Sequence, residues 1–307
     1  MPGAYAHIAI VNDAQKRVKQ AGLRNETAAS LGRHLKFVEL GAVSPDYPYL
    51  ALKQAKWADN MHYLQTATML RSGVSAVRAL PPAQRAKATA WLFGYAAHMT
   101  ADMTIHPVVE LKVGPYKGNE SEHRRCEMHQ DAFIFPEILD LGDTGLSRHL
   151  ATGIASCNAA NDIDQLDPSV SSVWQTMLST AYPDDVALAK PDPSVWHRGF
   201  RAVLLAMAGA NHLFPFARHV AAGLNIAYPT AKDVLPTYIT GLGTPEGPMD
   251  YLQLFERARA NVLTVWAGLD KALADGDSEF LSTVTDWNLD TGRALNTQQY
   301  VFWKAKK

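Results

Sequence analysis

The sequence predicts an all-α fold, on three observations. Apolar residues recur at helical spacing through most of the chain, and alternating period-two runs are almost absent. The helical stretches are separated by connectors rich in Pro, Gly and Asp, such as PDDVALAKPDP and TGLGTPEGP. With 307 residues, 47% of them hydrophobic, the chain is long enough to bury a sizeable core.

The elements follow from these signals. IAIVNDAQKRVKQAG (8–22) reads as an amphipathic helix stopped by Gly22, and ETAASLGRHLKFV (26–38) as a second. Gly41, Pro45 and Pro48 make 40–49 a loop. Met61, Leu64, Met69 and Leu70 suggest one long helix over 51–79. LPPAQRAK starts the next, since proline is tolerated in a first turn. That helix should end at His106, because Pro107 disfavours continuation. VGPYKGNESE (113–122) is a loop, and Ser121 a fitting N-cap for a helix over 121–138. Further helices are expected near 146–160, 168–180, 194–222, 248–275 and 278–285. Trp266, Trp287 and Trp303 are assigned to packing.

Composition excludes several functions. The 29 basic and 30 acidic residues leave no electrostatic footprint for nucleic acid and no polybasic tract for anionic membranes. No run of about eighteen apolar residues exists to span a bilayer. The N-terminus shows no basic region followed by an apolar one, and Cys126 and Cys157 make no disulfide framework. A cytoplasmic location is the expectation, with at most peripheral membrane contact.

Chemistry concentrates in GYAAHMTADMTIHP (94–107), which sets His98, Asp102 and His106 at steps of four in an apolar helix. Packing gives no reason to bury two imidazoles and a carboxylate on one face. Residues at i and i+4 share a face, so His98 with Asp102, and His123 with Glu127 in HRRCE, can each meet one ion. His98 and His106 lie about 12 Å apart along the axis at 1.5 Å per residue. A zinc ion holds its ligands at about 2 Å, so the stripe reads as two neighbouring sites. His106 then joins His123 and Glu127, carried back on the antiparallel next helix. Nitrogen and carboxylate ligands suit zinc, with iron or manganese open from ligand type alone. Several close metals suggest hydrolysis at phosphorus, through a water of lowered pKa and neutralised phosphoryl oxygens. His129 and Asp131 are read as outer support or solvated residues.

The ordered series resembles the zinc-dependent phospholipase C family of bacterial phospholipases and alpha-toxin catalytic domains. The carriers are His7, Asp46 in GAVSPDY, His62, then His98, Asp102 and His106, then His123 and Glu127. The resemblance covers roughly residues 3 to 135. It implies an all-α bundle holding two to three zinc ions in a cleft. Asp46, His62, His98 and Asp102 would hold one ion, and His106, His123 and Glu127 a second. His7 with a bridging Asp102 would hold a third. Asp46 is also the implied general base for water attacking a phospholipid or other phosphodiester. The secreted enzymes add an N-terminal Trp to the third ion, whereas this chain starts MPGAY. Residues 1–140 are thus expected to form the metal-binding part, with 141–307 adding helices to the same bundle.

Rival enzyme classes fit poorly. No histidine is followed by Asp, H-E-x-x-H is absent, and Glu120–His123 alone matches E-x-x-H. The remaining alternative is a non-catalytic or degenerate metal-binding helical module acting in lipid or protein binding.

Overall fold

The computed structural model describes residues 3–139, 153–208, 229–276 and 279–304. Twelve α-helices account for most of them: α1 (Ala4–Lys16), α2 (Asn25–Arg33), α3 (Leu35–Val43), α4 (Ala55–Tyr63), α5 (Thr66–Ala79) and α6 (Pro82–Val113). Then come α7 (Glu120–Leu139), α8 (Pro168–Ala181), α9 (Pro183–Leu188), α10 (Pro193–Ala208), α11 (Tyr251–Asp275) and α12 (Glu279–Thr283). Two small antiparallel hairpins complete it, β1 (Asn158–Ala159) with β2 (Asp162–Leu166), and β3 (Trp287–Asn288) with β4 (Arg293–Ala294). The fold is all-α. Among the described residues no helix is long and apolar enough to cross a membrane.

Helix α6 is the axis. Its residues from Ala88 to Val109 are all buried, with α3, α11, α2, α8 and α1 packed around it. A helix enclosed on every side has no polar face, which is why apolar residues crowd its whole circumference. Trp266 of α11 donates to the Phe93 carbonyl at 2.8 Å, fixing α11 along α6. Trp91, Trp174 and Trp196 pack in series, tilted then edge-on, at centroid distances of 5.3 and 4.9 Å.

The crossing of α3 with α6 is made by two glycines. A Cβ on Gly41 would sit 2.0 Å from the Trp91 carbonyl oxygen, and one on Gly94 would sit 2.0 Å from that of Val38. Backbone meets backbone there, which only glycine permits.

Several boundaries differ from those expected. The first helix starts at Ala4, so His7 is helical, and it ends at Lys16. Residues 26–38 are two helices, broken at His34. The expected loop 40–49 is the end of α3 followed by a 3-10 helix, Ser44–Leu50. The Gly41 that looked like a breaker is a crossing point, and tertiary contact outweighs its weak propensity. The expected helix over 51–79 is split at Gln65, whose φ is 50°. The next does not stop at His106, because α6 runs through Pro107 to Val113. Proline there removes one N–H and frees the Met103 carbonyl, a loss that buried neighbours can offset. Ser121 lies inside the first turn of α7, which begins at Glu120. Of the helix expected over 146–160, residues 146–152 lie outside the described residues; the rest is a 3-10 turn and part of the β1–β2 hairpin. Residues 209–222 of the expected helix 194–222 also lie outside them.

Candidate metal centre

Four segments bring the candidate ligands together. Helix α1 carries His7, the 3-10 helix carries Asp46, α4 carries His62, and α6 carries His98, Asp102 and His106. All six are buried. The N-terminus of α1 is held by α7: Asp131 accepts from the Ala6 N–H at 2.8 Å. A carboxylate at that position satisfies an orphan donor and complements the helix dipole. Asp131 therefore supports the site by placing the helix that carries His7. The 3-10 helix is latched by Ser44, whose hydroxyl donates to the Leu40 carbonyl and accepts from Trp91 Nε1, both at 2.8 Å.

Asp102 is the centre. Its Oδ1 lies 3.2 Å from His7 Nε2 and 3.6 Å from His106 Nε2. Its Oδ2 lies 3.1 Å from His98 Nε2 and 3.7 Å from His62 Nε2. His62 Nε2 is also 3.5 Å from Asp46 Oδ1. Each carboxylate oxygen thus faces a different pair of imidazoles. Two groups of three offer ligand atoms within 4.8 Å of one another: His7, His98 and Asp102, and Asp46, His62 and His98.

Backbone carbonyls fix two tautomers. A carbonyl only accepts, so His98 Nδ1–H donates to the Ala42 oxygen at 2.8 Å and His62 Nδ1–H to the Ala58 oxygen at 2.7 Å. Both Nε2 atoms then point inward as lone pairs, 3.4 Å apart. Two lone pairs at that separation repel unless a proton or a cation lies between them. Both oxygens of Asp102, both nitrogens of His7 and Nε2 of His106 are buried without a hydrogen bond of good geometry. Leaving so many polar atoms unsatisfied costs on the order of 1–3 kcal/mol each. The donor set therefore fits a divalent cation that accepts nitrogen and carboxylate ligands.

The protonation states of His7 and His106 agree, whereas His98 holds its proton more tightly. Burial, with His98 nearby, pushes His7 down to about 4, and burial pushes His106 down to about 3, so both offer lone pairs at neutral pH. Burial also opposes charge on His98, but the carboxylates of Asp102 and Asp46 outweigh it and raise its pKa. Burial disfavours the Asp102 anion, yet His98 and His106 hold its carboxyl well below the usual range.

A family model for zinc-dependent phospholipase C matches residues 6–184. The chain belongs to the zinc-dependent phospholipase C family. No curated protein and no solved structure matches it. In this phospholipase C family member, His7, Asp46, His62, His98, Asp102, His106, His123 and Glu127 all lie inside the matched span.

His123 and Glu127 are buried on α7, but with His106 they form no third compact group among the described residues. His123 Nε2–H donates to the Gly114 carbonyl at 2.7 Å, so its buried Nδ1 is the atom left to serve as ligand. His129 instead accepts from the Leu235 N–H through Nδ1 and stacks on Tyr238. Tyr95, near the start of the GYAAHMTADMTIHP stretch, is fully buried in the core. One neighbour was not foreseen: Asp290, whose Oδ1 lies 3.6 Å from His106 Nδ1. It stands in a β-turn far along the chain, with no motif around it to mark it.

Proposed function

We propose that this chain is a zinc-dependent phosphodiester hydrolase of phospholipase C type. The observation that carries the reading is Asp102, whose two oxygens face separate sets of inward-pointing imidazole nitrogens. Such a carboxylate is suited to bridge two ions. Asp46, His62, His98 and Asp102 would hold one, His7 with Asp102 a second, and His106, His123 and Glu127 a third. When bound, the ions would supply Lewis acidity at the phosphoryl oxygens and a water of lowered pKa.

The protein's own groups would do the rest. The carbonyls of Ala42 and Ala58 hold two imidazoles in the ligating tautomer before any ion arrives. Asp46 lies beside His62 and would accept a proton from the attacking water as general base. Half-buried Tyr49, Tyr63 and Tyr116 have ring centroids 5.3–6.2 Å from His62 or His123 and would flank the approach of a phospholipid or other phosphodiester. Contact with a membrane would be peripheral.

Elemental analysis of purified protein tests the reading. Two to three zinc ions per chain are expected, with chelator-sensitive, zinc-restored hydrolysis of a chromogenic choline phosphodiester. Zero or one ion per chain would overturn it. A zinc-loaded protein inert on diverse phosphodiesters would favour the non-catalytic binding module.

A further inference from the structure

The β3–β4 hairpin reaches the metal centre from outside the span matched by the family model. The match ends at residue 184, whereas β3 and β4 lie at 287–294. This segment is fastened to α4 and α6, which carry ligands, and to the start of α5 between them. Leu289 N–H donates to the carbonyl of His62 itself at 3.0 Å. Asp286 accepts from the Ala67 N–H at 3.0 Å, and Trp287 N–H donates to the Thr66 hydroxyl at 2.6 Å. Gly292 packs where Pro107 interrupts the α6 ladder: a Cβ there would lie 2.3 Å from the Pro107 ring and 2.7 Å from the freed Met103 carbonyl. Trp303 Nε1 donates to the Thr104 carbonyl at 2.9 Å, one residue on from Met103.

These contacts hold Asp290 at one edge of His106. The imidazole lies between two carboxylates. Its Nε2 is 3.6 Å from Asp102 Oδ1, and its Nδ1 is 3.6 Å from Asp290 Oδ1. The other oxygen of Asp290 accepts from the Tyr63 hydroxyl, which orients the carboxylate. His62 and His98 each have a backbone carbonyl that fixes their Nδ1–H. Among the described residues His106 has no such carbonyl; the acceptor facing its Nδ1 is Asp290 Oδ1, which at 3.6 Å is within ion-pair reach and farther out than the 2.7 and 2.8 Å of those carbonyls.

We propose that Asp290 is a positioning residue that holds His106 in its Nδ1–H tautomer, aiming the Nε2 lone pair into the metal centre, with Tyr63 orienting the carboxylate. The proposal rests on the metal reading above. A carboxylate behind a ligating imidazole fixes ring orientation and raises ligand basicity, and removing one costs roughly 10–100-fold in metal affinity. Residues 287–304 are then part of the catalytic architecture rather than an appendage.

The test uses the full chain and zinc ion as the probe. In competition with a chromogenic chelator, Asp290→Asn should weaken one ion per chain by about 10–100-fold and leave the others unchanged. Tyr63→Phe should weaken the same ion less, and His106→Gln should abolish it. Adding Asp290→Asn to His106→Gln should change nothing more. The melting temperature of the metal-free Asp290→Asn protein should match wild type, which separates positioning from mere fastening. Wild-type affinity for every ion in Asp290→Asn would overturn the proposal. So would uniform weakening accompanied by a lower metal-free melting temperature. A second readout needs no metal: imidazole nitrogen NMR, with His106 assigned by its absence in His106→Gln, should show Nδ1–H in wild type and a redistributed tautomer in Asp290→Asn. An Nε2–H wild type would overturn the proposal. A wild type that binds no zinc but shows Nδ1–H would sink the metal reading while leaving the Asp290–His106 contact standing.

Discussion

Gly94→Ala tests whether the α3–α6 crossing builds the metal centre. The new Cβ would lie 2.0 Å from the Val38 carbonyl oxygen, 2.8 Å from the Ala42 nitrogen and 2.9 Å from the Gly41 Cα. All three are backbone atoms, so no rotamer change relieves the clash. Restoring an ordinary contact of 3.4 Å from 2.0 Å needs about 1.4 Å of helix separation. The same movement would take the Ala42 carbonyl, now 2.8 Å from His98 Nδ1, to roughly 4 Å and break that bond. Overpacking costs about 1–3 kcal/mol, and a buried group left unsatisfied about 1–3 kcal/mol. Alanine in place of glycine returns about 1 kcal/mol of helix propensity. The net is a loss of about 3 kcal/mol, a large share of the roughly 5–15 kcal/mol typical of a folded domain. Urea unfolding of the metal-free protein measures it, and zinc titration measures the effect on His98. A variant within about 1 kcal/mol of wild type that keeps full zinc affinity would refute the link between crossing and site.

Three other outcomes follow from the same geometry. Asp102→Asn should lose more than one zinc ion per chain, while Glu127→Gln should lose one; equal losses by elemental analysis would contradict a bridging Asp102. Asp46→Asn should lower phosphodiesterase turnover by at least about 100-fold, the lower range for removing a general base; a smaller loss at full zinc occupancy would move the base elsewhere. Asp270 opposes its own burial by accepting from the Arg24 backbone and guanidinium and from Thr27, which hold its pKa down. Its contribution is present above the ordinary carboxylate value near 3.9 and is lost as pH falls through the lowered one. Asp270→Asn should therefore reduce melting temperature at neutral pH and converge with wild type in acid; a constant difference would refute the sign.

The stripe in α6 was legible because helix geometry is local. Steps of four put His98, Asp102 and His106 on one face whatever else the chain does. Which atoms face one another was not legible, because it depends on what packs against that face. Gly41 and Pro107 show why the boundaries went wrong. Each breaks a helix by local propensity, and each is retained inside one because long-range packing favours continuity. Gly41 read as a loop concealed the crossing that brings the Ala42 carbonyl to His98. A helix ended at Pro107 concealed the seat of Gly292, and with it the hairpin bearing Asp290. His123 and Glu127 were legible as an i,i+4 pair, but their distance from His106 depends on the 114–119 turn, which periodicity does not encode.

The charge arrangement carries one more consequence. Four imidazoles surround Asp102, and burial keeps His7 and His106 neutral, so in the metal-free protein the proton raised onto His98 answers the carboxylates. A histidine whose pKa is raised by folding stabilises the fold below the unfolded value near 6.5, and that stability is lost as pH rises through the raised value. His7 and His106 have the opposite sign. They cost stability as pH falls below about 6.5 and are flat above it. Above about 6.5, His98 alone among the three makes the metal-free protein weaken as pH rises. Zinc reverses this, because a ligating imidazole must be neutral and binding expels the proton. The difference in melting temperature between zinc-loaded and metal-free protein should therefore widen as pH rises from about 6.5, while titrations common to both forms cancel. Parallel curves across that window would mean that no proton sits where the cation goes, and the pairing of His98 with Asp102 would need another explanation.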